Sequence, residues 1–161
     1  MKVRDIMTRD VVSCQTGADV ATAGRLMLQG HFGLVPVVDT HGHVAGVLTD
    51  RDIALAAATR HRDAWHIGVH EAMSSKVRSC FLEDDVSTAL EQMEKAHVRR
   101  LPVLDEGTHL AGILSIDDIA AHALDEKDGV SAARFAEAFR RICSHTAAEA
   151  DVNGSETFVS G

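Results

Sequence analysis

A chain of 161 residues, 45% hydrophobic and 25% charged, suits one medium domain or two small ones sharing a core. Its net charge of −8, with no long Lys/Arg run, argues against a nucleic-acid partner, so an anionic ligand needs a local positive site. No apolar run nears the roughly 18 residues of a membrane span, Met1-Lys2-Val3-Arg4-Asp5 lacks a secretory signal's apolar stretch, and three cysteines without a CxxC pair point to a reduced, cytoplasmic setting.

In chain order, the β-branched run Val11-Val12 suggests a first strand. Asp19 then stands where a helix N-cap is wanted, followed by Val20, Ala23 and Met27 at helical spacing. Leu34-Val35-Pro36-Val37-Val38 reads as a buried strand, and its proline favours the strand's first part or an edge. The turn Asp39-Thr40-His41-Gly42 leads to a strand over Val44 to Leu48 and a helix over Asp50 to Ala58. A short polar linker follows, over residues 61–68. The same series then recurs: Val77, an Asp85 cap, a helix carrying Val86, Ala89, Met93 and Ala96, and the strand Leu101-Pro102-Val103-Leu104. A turn at Asp105-Glu106-Gly107-Thr108, a strand over Leu110 to Leu114 and a helix over Ile116 to Leu124 complete it. Phe135, Ala138, Phe139 and Ile142 lie on one face of a further amphipathic helix within 127–145. The polar stretch 146–161 lacks periodicity and is expected to be flexible.

The recurrence is an internal repeat. Val3 to Ala57 lies over Val69 to Ala123 without a gap at a shift of about 66 positions, with about 22 of roughly 55 positions identical. Two repeats, 1–60 and 69–126, are therefore expected. Each is β-α-β-β-α, an α/β (α+β) fold in which two marginal units share a core.

The chemistry concentrates where each third strand enters a helix, at Gly46-Val47-Leu48-Thr49-Asp50-Arg51-Asp52 and Gly112-Ile113-Leu114-Ser115-Ile116-Asp117-Asp118. A hydroxyl beside the unpaired N–H groups of a helix start suits a phosphate. A carboxylate one turn later suits a vicinal diol. The same residues also form a capping box that satisfies only the helix's own donors. Both readings stand.

No nucleophile elbow, HExxH or Walker loop occurs, so no enzyme is expected. His41, His43, His61, His66 and His70 lack the carboxylate or thiol partners of a metal site and read as solvated loop residues. His31 and His97 read as helix-to-strand corner or cleft residues. Cys14 and Cys80, placed just after the first strands, read as small packing groups.

With these residues in view, the chain resembles a pair of CBS domains, the cystathionine β-synthase type, forming a Bateman module. Pro36-Val37-Val38-Asp39 and Pro102-Val103-Leu104-Asp105 carry the likeness, with the two glycine-to-aspartate segments and the leaders Ile6-Met7-Thr8 and Ala72-Met73-Ser74. The resemblance implies two repeats about a pseudo-two-fold axis, leaving two clefts for AMP, ADP, ATP, NAD or S-adenosylmethionine. It implies that Asp52 and Asp118 hold ribose hydroxyls, and that Thr49 and Ser115 contact phosphate or ribose. Arg99 and Arg100, where the first repeat has Gly33 and Leu34, are expected to favour phosphate in one cleft. Exposed arginines pairing with nearby acids remain the alternative. Homodimerisation through CBS helices and an effector protein partner are implied as well.

Overall fold

The computed structural model describes residues 1–124 and 126–144; the expected tail over 146–161 lies outside them. Two three-stranded sheets result, each with the order parallel pair, then antiparallel pair. In the first, β1 (Cys14–Gln15) runs parallel to β2 (Leu34–Val38), which pairs antiparallel with β3 (Val44–Thr49). The second repeats this with β4 (Cys80–Phe81), β5 (Arg100–Leu104) and β6 (Leu110–Ser115). Six helices flank them: α1 (Val3–Ile6), α2 (Val20–Gly30), α3 (Asp50–Thr59), α4 (Val69–Ala72), α5 (Val86–Ala96) and α6 (Ile116–His122). A final helix, α7 (Ala132–Cys143), packs on α5.

Several local expectations need correction. The first strands fall on Cys14 and Cys80 rather than on Val11-Val12 and Val77, because only there does the backbone reach Val37 and Val103 to pair. Both cysteines are buried within these strands. Burial, then the Asp84 charge, pushes the Cys80 thiol up to about 12. Pro36 sits on a central strand, yet β1 pairs only with Val37 and Val38, so no ladder partner on that side misses its N–H. Asp19 caps α2 by accepting from Thr22 N at 2.8 Å. Asp85 does not cap α5; its carboxylate pairs instead with Lys2 at 2.9 Å. The linker is not wholly polar in role: Ala64–His66 form a 3-10 turn and Ile67 is fully buried against Val20 and Ala56. His43 is no free loop residue. Its amide donates to Asp39, and its ring stacks on His109 at 4.7 Å, joining the two β-turns.

The repeats exchange their leaders. Val3 and Met7 are buried in the core of the second sheet, with Val86, Leu90, Leu101 and Leu114. Val69, with Ala72 and Met73, completes the core of the first sheet. Backbone pairing fixes both crossings: Thr8 exchanges hydrogen bonds of 2.9 Å with Ile113, and Ser74 exchanges bonds of 2.9 and 3.0 Å with Val47. These contacts explain the two motif glycines. A Cβ at Gly112 would sit 2.6 Å from Thr8 O, and one at Gly46 3.0 Å from Ser74 O and 2.5 Å from Met73 Sδ. Each glycine admits the other repeat's leader; it does not open the helix start to a ligand.

Candidate functional site

The exchange places two clefts between the repeats. Cleft 1, about 620 Å³, is lined by Thr49, Asp50, Arg51 and Asp52 from the β3–α3 junction. Facing them are Lys76 and Arg78 from the second leader, and Val98, Arg99 and Arg100 from the α5–β5 corner. Cleft 2, about 160 Å³, is lined by Ser115 and Asp118, by Thr8, Asp10, Val11 and Val12 of the first leader, and by Phe32 and Arg100. Cleft 1 falls in the roughly 300–1,000 Å³ range of small-molecule pockets, and cleft 2 falls below it.

Both motifs form closed capping boxes. Asp52 Oδ2 accepts from Thr49 N at 2.9 Å and Thr49 Oγ1 at 2.6 Å, while Asp52 N donates to Thr49 Oγ1 at 3.2 Å. Ser115 and Asp118 repeat this at 2.8, 2.6 and 3.1 Å. In each aspartate the second oxygen, Oδ1, has no hydrogen-bond partner among the described residues. One oxygen of each aspartate thus holds its helix start, and Asp52 lines cleft 1 as Asp118 lines cleft 2.

Charge separates the clefts. Five cationic side chains meet two carboxylates in cleft 1, whereas one cation meets two carboxylates in cleft 2. Arg100 lines both clefts and lies 3.8 Å from the exposed Asp117 carboxylate, so the surface ion pair expected as the alternative forms at this arginine. Among the described residues Arg99 has no carboxylate partner; its Nη2 donates to Cys143 Sγ at 3.4 Å. The structure thus brings Thr49, Asp52, Arg99 and Arg100 together, and places Ser115 and Asp118 in the other cleft beside Arg100 alone.

Lys76, Arg78 and Arg51 were not singled out from the sequence, nor was Phe32. The signal was present but unreadable alone. Lys76 and Arg78 correspond in the repeat to Asp10 and Val12, and only the leader exchange shows which cleft each pair enters. Phe32 corresponds to Val98, and its larger ring narrows cleft 2. His31 and His97 cap α2 and α5 in the left-handed conformation, φ 55° and 52°, as corner residues.

The CBS-domain family model matches residues 3–59 and 69–125. The chain belongs to the CBS-domain family. The CBS domain-containing protein YhcV of Bacillus subtilis is 34% identical over 81% of this chain and 91% of its own length. Among solved structures, the CBS domain pair of protein MJ0100, in complex with 5′-methylthioadenosine and S-adenosyl-L-methionine, is 24% identical with a TM-score of 0.67, covering 75% of this chain and 94% of that one. CBSX2 in complex with AMP is 21% identical with a TM-score of 0.65, covering 74% and 93%. At these identities the likeness of the CBS domain pairs shows the fold. Among the described residues, no helix is long and apolar enough to cross a membrane, and no group of three or more His, Cys, Asp or Glu stands ready to hold a metal ion.

Proposed function

We propose that this protein is a regulatory sensor that binds a phosphorylated adenosine ligand in cleft 1 and reports its presence to a partner protein, without catalysing a reaction. The observation that carries this reading is the meeting of Asp52 and Thr49 with Lys76, Arg78, Arg99 and Arg100 around one open cleft. A carboxylate with one free oxygen accepts from ribose hydroxyls, and the first turn of the ten-residue α3 lines the same space, with the positive end of its dipole there. Arginine forks and a lysine ammonium suit phosphate oxygens. On a chain of net charge −8, such a cluster of cations costs self-repulsion that a bound anion relieves.

Related folds hold AMP in CBSX2 and S-adenosylmethionine with methylthioadenosine in MJ0100, which makes adenosyl compounds the natural class to test. The charge of cleft 1 selects AMP, ADP, ATP or NAD over the cationic sulfonium of S-adenosylmethionine. Cleft 2, small and without excess positive charge, is the less favourable site for a phosphorylated ligand. Self-association through the CBS helices is part of the same proposal, checked by mass measurement in solution. The closed capping boxes favour the competing reading, a ligand-free structural module.

Thermal unfolding and titration calorimetry with AMP, ADP, ATP, NAD and S-adenosylmethionine separate the two. A ligand at 100 times its dissociation constant adds about 2.7 kcal/mol of stability. We expect at least one phosphorylated ligand to do so, and Asp52→Ala to weaken it about tenfold, the loss of one charge-assisted contact. Five ligands without effect would leave the structural module.

A further inference from the structure

The corner between α5 and β5 faces two ways. Ala96, Val98, Arg99 and Arg100 line cleft 1. The same corner also grips α7. Glu94, its side chain only 13% exposed, takes Arg134 at 2.7 Å and Arg141 at 2.9 Å. His97 Nδ1 donates to the Arg141 carbonyl at 3.1 Å, a role that requires its proton on Nδ1. Arg99 closes the series on Cys143, the last residue of α7. Ala138 and Ile142 bury the apolar face of α7 in the core of the second sheet.

We infer that α7 is coupled to cleft 1 through Arg99: Cys143 positions the guanidinium as part of the phosphate-binding wall, so docking of α7 and binding of an anionic ligand reinforce each other. This rests on the cleft 1 reading given above. Arg99 both touches Cys143 and is among the residues that line cleft 1. Without the sulfur, an exposed arginine samples many rotamers and loses that freedom when it meets phosphate. With it, part of that ordering precedes binding. A guanidinium keeps further N–H donors for the ligand while one is directed at sulfur. The first repeat has no equivalent device. Leu28 and Gly33 stand where the second has Glu94 and Arg99, and Leu28 is 75% exposed. The link between α7 and the cleft is a property of the second repeat's corner alone. By reciprocity, whatever stabilises α7 tightens the ligand by the same factor.

Cys143→Ala is the test, with AMP, ADP and ATP titrated in parallel and adenosine as the phosphate-free control. The expected result is a three- to fivefold loss of affinity for the phosphorylated ligands and none for adenosine. Cys143→Ser, which keeps an acceptor, restores most of that loss. In an Arg99→Ala background, Cys143→Ala has no further effect. Amide exchange supplies a second readout: bound ADP slows exchange in residues 140–144. An equal loss for adenosine, a Cys143 effect that persists without Arg99, or exchange in α7 indifferent to bound ADP overturns the coupling. If none of the three nucleotides binds the unaltered chain, the cleft 1 reading itself falls and takes the coupling with it.

Discussion

The two clefts carry nearly the same motif and differ in what surrounds it. Thr49 and Asp52 match Ser115 and Asp118 within 0.1 Å in each of the three capping distances. Around them, Lys76, Arg78 and Val98 in one cleft replace Asp10, Val12 and Phe32 in the other. On the proposed reading, the duplicated motif is where a sugar would be gripped, while the leader and the corner set the charge and the room of each cleft. Specificity would then lie in the residues the duplication allowed to diverge.

Making cleft 1 resemble cleft 2 is the strongest way to break this comparison. The double change Lys76→Asp with Arg78→Val should cost a phosphorylated ligand about 3 kcal/mol or more, two charge-assisted contacts at roughly 1.5–3 kcal/mol each. Calorimetry at low salt checks it, and the wild-type affinity should fall steeply with added salt. Gly112→Ala comes next, because its Cβ meets the Thr8 backbone carbonyl. It should lower stability by about 1–3 kcal/mol, measured by denaturant unfolding. Gly46→Ala should cost less, since its shortest contact is the flexible Met73 side chain. Phe32→Val sharpens the comparison from the other side, by giving cleft 2 the residue of cleft 1. Ligand stoichiometry should rise toward two per chain, with a stability loss of about 1 kcal/mol.

The smallest effect concerns pH at the α7 corner. The Arg134 hydrogen bond, ahead of the Arg134 and Arg141 charges, holds the Glu94 carboxyl below its usual range against the opposing effect of burial. A lowered folded-state value contributes stability that is present above the ordinary glutamate pKa of about 4.3 and lost as pH falls through the lowered value. Amide protection along α7 should therefore weaken in that acid window, and Glu94→Gln should flatten the dependence. Leu28 offers the first repeat no such titration.

The repeat, the element order and the two hydroxyl–carboxylate pairs were legible because identical residues recur at one offset and periodicity survives duplication. The strand positions at Cys14 and Cys80 were not, since a two-residue strand has no period to detect. Arg99 and Arg100 stood out as departures from the first copy, yet the cleft they enter depends on how the halves are arranged. The leader exchange was invisible for the same reason: Val3 and Val69 are identical residues, and identity cannot say which sheet each one completes. The role of the motif glycines, which is packing between the repeats, was hidden for the same reason.

That exchange bears on how the chain can be divided. Severing it near His61 would leave two pieces, each with a hydrophobic hole at its own centre and the plug for its neighbour at its amino end. Neither half should fold well alone, whereas the mixed halves should find each other and rebuild the whole, as two keys that each fit only the other's lock.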